Sequence, residues 1–358
     1  MSATEKPAAS GETGSGVTGF GEISPGETGS GVTGFGEISP GETGSGEISP
    51  DETRPGATAS AATASGPAPV GLGRELAPAV VLLSGVVGGI SAVVGALLVG
   101  TSLLGHAAGA WVSTEALTPG LVGAAMAGVA PALFTIGRAR HWAEARTLVL
   151  PLVIVLVGLF TVSLLNAGSL QAVRGGPLFL ALFSLGWVAT LGLLALGAVV
   201  CLGAQYRRPA APHKAGSPRP APVPLPAWSK PLLAVLGSGW LGIGAGLLVL
   251  PAFWGPLLPW TVNRADAQGL GVWALALGVG VLGSLAEDDL SRIRPALTAV
   301  PAVASASAVV LAVHAGSVDW TSGPGAALLA LVGGLFVTGV SGRWLLRRAE
   351  GGSARPAP

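Results

Sequence analysis

Eight long apolar runs dominate the chain beyond residue 77, and each is near or above the length that a bilayer-spanning helix requires. About 20 apolar residues in a helix cross the hydrocarbon core of a membrane. None of the runs contains Asp, Glu, Lys or Arg. The pattern therefore predicts an all-α polytopic membrane protein with eight transmembrane helices. The runs cover residues 78–104, 120–137, 147–166, 177–203, 231–250, 269–286, 296–313 and 325–342.

The composition agrees with a lipid environment and argues against several classes of function. Charged residues make up 10% of the 358 residues, and the mean hydropathy is +0.66, whereas soluble domains are about 25% charged. A net charge of +1 gives no reason to expect nucleic acid as a partner. Cys201 is the only cysteine, so one chain can form neither a disulfide nor a cysteine zinc set. We expect no cofactor.

The first 77 residues differ from the rest of the chain. The unit GETGSGVTGFGEISP at residues 11–25 recurs unchanged at 26–40 and in shortened form at 41–50. Its few apolar side chains cannot offset backbone ordering, which costs about 1–2 kcal/mol per residue. We predict a disordered tail over residues 1–77, with a short binding motif inside it as the alternative. The tail contains no basic segment followed by an apolar one, which is the pattern of a signal peptide.

Basic residues are concentrated in alternate loops, which predicts the orientation of the helices. The loop after the fourth run and the C-terminal end are rich in Arg and Lys, whereas the intervening loops contain only two arginines. Basic loops of bacterial membrane proteins stay in the cytoplasm. We therefore predict a multi-pass protein of the bacterial plasma membrane with both termini inside. The topology anchors in the two short basic loops are Arg138, Arg140, Arg146, Arg292 and Arg294.

The order of loops and runs suggests an internal duplication of four helices. The segment beginning at Thr118 can be laid over the one beginning at Ala267, and a proline follows the basic loop in both halves, at Pro151 and Pro301. Four spans per copy place both copies in the same orientation, related by an axis along the membrane normal. The predicted segments are the tail 1–77, a first half 78–206, a Pro-rich linker 207–230, a second half 231–345 and a C-terminal tail 346–358.

The second half contains a recognisable pattern: a Pro-Trp pair, an acidic-x-x-R-x-R-P turn and a late Asp-Trp pair. It resembles uncharacterised multi-span integral membrane proteins of high-GC Gram-positive bacteria, and the excess of Arg over Lys is typical of such genomes. The first half fits this pattern only loosely. The resemblance implies an integral membrane protein and no substrate, cofactor or catalytic residue. The residues that carry it are Pro259, Trp260, Trp273, Asp288, Asp289, Arg292, Arg294, Pro295, Asp319 and Trp320.

Candidates for chemistry are few, and we predict that the protein is not an enzyme. Ionisable residues inside a membrane usually mark functional sites, and the apolar runs contain no acidic or basic ones. No GxSxG elbow or P-loop occurs. His106 and His314 are expected to lie at the membrane–water interface. The alternative is that they form a metal-binding or pH-sensing pair. Glu115, Asp266 and Asp319 are expected to be solvated loop carboxylates, with a cation-collecting rim as the alternative.

The turn EDDLSRIRP is predicted to be a pinned interhelical connection. In a helical turn Asp288 and Asp289 would both face Arg292, and exposed pairs of this kind contribute about 0.2–0.5 kcal/mol each. Arg294 precedes Pro295, which suits the first turn of the next helix. A conformational latch and a basic patch for lipid headgroups are the alternatives.

Three functions remain open from the sequence. The first is a non-catalytic membrane component or accessory subunit, favoured by the lack of charged residues in the spans. The second is a small-molecule permease, which would need a polar cavity between the halves. An intramembrane enzyme is a third, weaker reading. The polar mid-span residues that suggest a permease are Ser184, Thr190, Ser305 and Ser307.

Overall fold

The computed structural model describes residues 74–209 and 222–353. Within these residues it contains eight long α-helices and, apart from two isolated backbone bridges, no β-structure. Each long helix is apolar enough to cross a bilayer, which confirms the predicted all-α polytopic fold. The predicted disorder of residues 1–77 falls almost wholly outside the described ranges. The helices are α1 (Pro78–Leu103), α2 (Leu117–Thr135), α3 (Trp142–Leu165), α4 (Leu178–Arg207), α5 (Ser229–Val249), α6 (Arg264–Glu287), α7 (Arg294–Val313) and α8 (Gly323–Ser353).

Several helices extend past the apolar runs, because polar turns continue the helix beyond the hydrocarbon core. α6 begins at Arg264, and the Asn263 side chain caps it by accepting a hydrogen bond from the Asp266 backbone N–H at 2.9 Å. α8 continues to Ser353. Residues 346–353, predicted from the sequence as part of a tail, are therefore helical.

The helix ends meet on two faces. One face, here called the basic face, holds the start of α1, the α2–α3 and α6–α7 turns, the start of α5 and the end of α8. There the Leu76 N–H donates to the Arg140 carbonyl at 3.0 Å, and Leu346 packs with Leu225 and Leu290. The remaining turns meet on the opposite face. Successive helices therefore run in alternate directions.

The two halves are interleaved rather than merely side by side. Within each half the first two helices pack closely, α1 on α2 and α5 on α6. Across the halves, α2 packs on α7 and α3 packs on α6. Because α2 and α3 correspond to α6 and α7, these two contacts are equivalent and relate the halves by a pseudo-two-fold axis. The helices of this interface form the centre of the body.

Matching backbone contacts support the duplication on both faces. On the basic face, the Trp142 N–H donates to the Arg74 carbonyl, and the Leu290 N–H donates to the Val223 carbonyl. On the opposite face, the Gln171 N–H bonds to the Ala110 carbonyl at 3.1 Å, and the Asp319 N–H bonds to the Pro259 carbonyl at 2.8 Å. In each half the segment before the first helix bonds to the residues that follow the second helix, and the loop after the first helix bonds to the loop after the third.

Close helix packing repeats in the same way. A Cβ added to Gly95 of α1 would lie 2.8 Å from the Gly123 carbonyl oxygen, and a Cβ added to Gly244 of α5 would lie 2.8 Å from the Gly271 carbonyl oxygen. Only glycine permits this approach of the two backbones. Small residues are a common means of bringing transmembrane helices together.

The C-terminal end of the predicted linker 207–230 packs against the second half. Val223 and Leu225 correspond to Arg74 and Leu76, the segment that leads into α1, and they dock on the α6–α7 turn. Leu225 is 7% exposed and packs on Leu290. The sequence showed only proline-rich composition here, so this burial was missed. Residues 210–221 lie outside the described ranges.

Candidate functional site

A charged cluster joins the two halves on the basic face. Its members, Arg146, Glu287, Asp289 and Arg292, are called the basic-face cluster. The Glu287 side chain is 3% exposed. It accepts a hydrogen bond from Arg146 Nε of α3, and Arg292 Nη1 lies 3.5 Å from its other oxygen. Arg292 Nε also lies 3.1 Å from Asp289 Oδ2. Two arginines thus neutralise two carboxylates that are almost fully buried.

The predicted anchor residues divide between this cluster and other contacts. Arg146, Asp289 and Arg292 meet in it, but Asp288 pairs with Lys230 at 2.6 Å and not with Arg292. Arg138 and Arg140 lie in the α2–α3 turn, and Arg294 pairs with Glu350 of α8. Glu287, which connects the cluster, was not singled out from the sequence. Its signal was its place at the end of an apolar run, where a carboxylate can turn inward.

Asp288 sits at the chain reversal after α6. Its backbone is left-handed, with φ 47°, a conformation that Asp and Asn tolerate better than most residues. Its side chain accepts hydrogen bonds from Lys230 Nζ and from the Leu225 N–H, the latter at 3.2 Å. The hydrogen bond from Lys230 lowers the pKa of the Asp288 carboxyl below its usual value. Asp288 therefore ties the segment before α5 to the α6–α7 turn.

This arrangement predicts a pH-dependent effect of Asp288→Asn. Because the pKa of this carboxyl is lower in the folded state, its ionised form stabilises the fold. This stabilisation is fully present above the unfolded pKa of about 4, and it is lost as the pH falls through the folded pKa. We expect Asp288→Asn to lower the thermal unfolding midpoint of the detergent-solubilised protein at pH 7. The difference from wild type should narrow below about pH 4. An equal difference at every pH would contradict the charge-based explanation.

Asp288→Ala is the matched control for the backbone. Asn keeps both the tolerance of a positive φ and an oxygen for the Leu225 N–H, whereas Ala keeps neither. Asp288→Ala should therefore be less stable than Asp288→Asn, and the gap between the two variants should persist at low pH.

A second polar cluster joins the halves on the opposite face. Its centre is Asp266 in the first turn of α6, which is 1% exposed. Its Oδ1 accepts hydrogen bonds from the Trp111 indole N–H at 2.7 Å and the Ser113 hydroxyl at 2.8 Å. The sequence-based expectation of a solvated loop carboxylate is wrong for Asp266. The loop that carries Trp111 and Ser113 folds over the start of α6 and covers the carboxylate.

The same face carries a reciprocal tryptophan contact. Trp260 is the counterpart of Trp111, and its indole N–H donates to the Thr118 hydroxyl in the first turn of α2 at 3.1 Å. Each half therefore places a tryptophan on the first turn of the other half's second helix. Beside it, Asn166 at the end of α3 donates to the Gln268 side chain of α6 at 2.7 Å. These contacts fasten the opposite face of the interface.

The other residues considered from the sequence lie in different environments. His314 is 3.0 Å from the Ser102 hydroxyl, whereas His106 is exposed. Glu115 accepts a hydrogen bond from Thr261. Asp319 accepts hydrogen bonds from Thr321, which lower the pKa of its carboxyl. Among the described residues, no group of three His, Cys, Asp or Glu side chains could hold a metal ion.

The middle of the interface is apolar and closely packed. A Cβ added to Gly128 of α2 would lie 2.5 Å from the backbone of Val303 of α7. A small cavity of about 60 Å³ remains between α2, α3, α6 and α7, lined mainly by Val, Leu and Ala, with Trp273 among the other lining residues. Thr147 contributes a buried hydroxyl without a partner in the described part of the chain. This space is too small and too apolar for a polar solute.

No family model, curated protein or solved structure matches this chain. The resemblance to multi-span proteins of high-GC Gram-positive bacteria therefore stays a prediction. Function has to be inferred from the two clusters and from the interface that they enclose.

Proposed function

We propose that this protein is a non-catalytic membrane component, most simply an accessory subunit that presents a rigid helical body. One observation carries the proposal: the interface between the halves is fastened on both faces and filled with apolar side chains between them. Glu287 is held by two arginines at one end, and Asp266 is held by Trp111 and Ser113 at the other. Such a body suits a structural role.

The same observation disfavours the permease. A carrier with two repeats exposes a central site by rocking one repeat against the other. Here opening the basic face would break the ion pair between Arg146 and Glu287, and opening the opposite face would break the indole bonds of Trp111 and Trp260. Of the polar mid-span residues that suggested a permease, Ser184 bonds to the Ala181 carbonyl and Ser305 to the Pro301 carbonyl.

Cysteine labelling tests whether the interface opens. In a Cys201→Ala background, Thr147→Cys places a thiol in the central cavity, where Thr147 is 5% exposed. We expect no reaction with a membrane-impermeant maleimide added to either side of oriented vesicles. Labelling from one or both sides would support alternating access and contradict the proposal.

Two exposed positions serve as controls and also test the orientation. Arg208 lies on the basic face and Ala315 on the opposite face, and both are exposed. We propose that the basic face is cytoplasmic in a bacterial plasma membrane. Arg208→Cys should then react only from the cytoplasmic side and Ala315→Cys only from the outer side. Reaction of both from one side would contradict the eight-span topology.

The accessory role is tested separately by purification in a mild detergent. We expect a stoichiometric membrane protein partner that remains bound through size-exclusion chromatography and whose activity falls when this chain is deleted. If the protein elutes alone, and if its deletion changes the activity of no other membrane protein, the accessory role is refuted. This holds even if the interface between the halves stays sealed.

A further inference from the structure

A second cavity lies beside the one between the halves, mostly within the first half, and the two share Leu152, Val155 and Trp273 in their linings. It has a volume of about 260 Å³ and lies among α1, α3 and α4, with Trp273 of α6 reaching in from the second half. Most of its lining is apolar. Gly186 of α4 lines it and is itself exposed on the lipid-facing side of the body. All of its lining residues lie within the long helices and none in the loops between them.

Three residues that line this cavity carry hydrogen-bond donors without acceptors in the described part of the chain. The Trp273 indole N–H is buried without a partner, and Trp273 as a whole is 9% exposed. No hydrogen bond among the described residues involves the hydroxyl of Ser91, which is 5% exposed, or that of Thr190. Buried polar groups normally find partners, and leaving one unpaired costs about 1–3 kcal/mol.

The hydroxyls of Ser91 and Thr190 make no hydrogen bond within their own helices, and those of Ser84 and Thr147 also lack a partner among the described residues. Several other helical serines and threonines bond to a carbonyl three or four residues earlier, which satisfies them within their own helix. Those that do so include Thr101, Thr161, Ser163, Ser284, Ser305 and Thr338. Ser91 and Thr190 instead remain available to a molecule inside the cavity.

The corresponding position of the second half carries a much larger side chain. Ser91 stands four residues before Gly95, and Trp240 stands four residues before its counterpart Gly244. Trp240 packs against Leu236 and its neighbours in the core of the second half. Trp240 also has an unpaired indole N–H, so a single unpaired donor has little meaning. In the first half the small side chain of Ser91 lines a cavity together with Thr190 and Trp273.

We propose that this cavity binds a lipophile from the bilayer that carries a carbonyl oxygen. The apolar walls would enclose a hydrocarbon chain or ring, and the carbonyl would accept hydrogen bonds from Trp273, Ser91 and Thr190. An ester-linked phospholipid and a quinone both offer this chemistry. The site does not depend on the accessory role, since a sealed interface between the halves leaves it open to lipid.

Ser91→Trp is the decisive variant, because it installs the residue that the second half already uses. The full chain is reconstituted in nanodiscs of ester-linked phosphatidylcholine, returned to detergent, delipidated and analysed by native mass spectrometry. We expect wild type to retain about one lipid and Ser91→Trp to lose retention at least tenfold. The matched control, Val93→Trp, adds the same side chain on the lipid-facing side of α1, where Val93 is 71% exposed. It should retain lipid like wild type.

The carbonyl requirement is tested with nanodiscs of an ether-linked phosphatidylcholine with the same chains. Wild type should retain much less of this lipid. A decyl-substituted benzoquinone is then added to the protein in ether-lipid nanodiscs. If the natural ligand is a quinone, this compound should be retained by the protein. If only the ester lipid is retained, the natural ligand is a phospholipid. Equal retention of ester and ether lipids without bound quinone, or equal retention by wild type and Ser91→Trp, would overturn the proposal.

Two milder variants test the proposal even if Ser91→Trp does not fold. Trp273→Phe removes the indole N–H, and Thr190→Val removes a hydroxyl with little change in volume. Each should weaken retention roughly tenfold, which corresponds to the loss of one hydrogen bond. Unchanged retention in both variants would show that the donors do not hold the ligand and would overturn the proposal independently.

Discussion

Gly128→Ala should destabilise the protein by about 1–3 kcal/mol, the usual cost of overpacking a well-packed core. A Cβ at this position would lie 2.5 Å from both the N and Cα atoms of Val303. Because these are backbone atoms, no side-chain rotation can relieve the clash, and α2 and α7 would have to separate. The free energy of unfolding in mixed detergent micelles, titrated with dodecyl sulfate, measures the effect.

Gly85→Ala is the matched control on α1. A Cβ added to Gly85 meets no atom within 4 Å. Replacing an unconstrained helical glycine by alanine is worth up to about 1 kcal/mol of stabilisation from helix propensity. We therefore expect Gly85→Ala to be neutral or slightly stabilising. If both variants lose the same stability, the close approach of α2 to α7 is not what Gly128 provides.

Arg146→Ala should be the other large loss, about 2–3 kcal/mol. It leaves the carboxylate of Glu287, 3% exposed, with only the longer contact to Arg292. Breaking a fully buried ion pair costs about 3–5 kcal/mol, and the expected loss is smaller because the Arg146 side chain is 39% exposed. Unfolding free energies in the same micelle system measure it.

A double-mutant cycle with Glu287→Ala separates this pair from its surroundings. Glu287→Ala alone should cost less than Arg146→Ala, because the two arginines left behind can reach water. The double variant should be more stable than the sum of the single losses implies, by about 1–3 kcal/mol of coupling. Strictly additive losses would mean that the two side chains do not stabilise each other.

The sequence predicted the parts of the fold that the bilayer dictates. Uncharged runs of this length have few alternatives to membrane helices, and their number and approximate positions agree with the described helices. Their ends were less predictable, because an interfacial turn can be helical while still carrying charge. Arg264 and Glu287 both lie within α6, although neither belongs to an apolar run.

The contacts between the halves were beyond the reach of sequence spacing. Arg146 and Glu287 are 141 residues apart, and Trp111 and Asp266 are 155 apart. No local rule connects them, whereas the pair of Asp289 and Arg292, three residues apart, follows from helical geometry. The cavity beside Trp273 was equally hidden. Thr190 was noticed from the sequence only as a polar residue in mid-span.

The crossed packing of α2 on α7 and α3 on α6 bears on how such a protein could have arisen. A four-helix precursor encoded by half of this gene would have left its second and third helices uncovered in lipid. Two identical copies, related by a true two-fold axis, could have covered those surfaces for each other. Fusion of two such copies would have allowed each to diverge, as at the position that holds Ser91 in one half and Trp240 in the other.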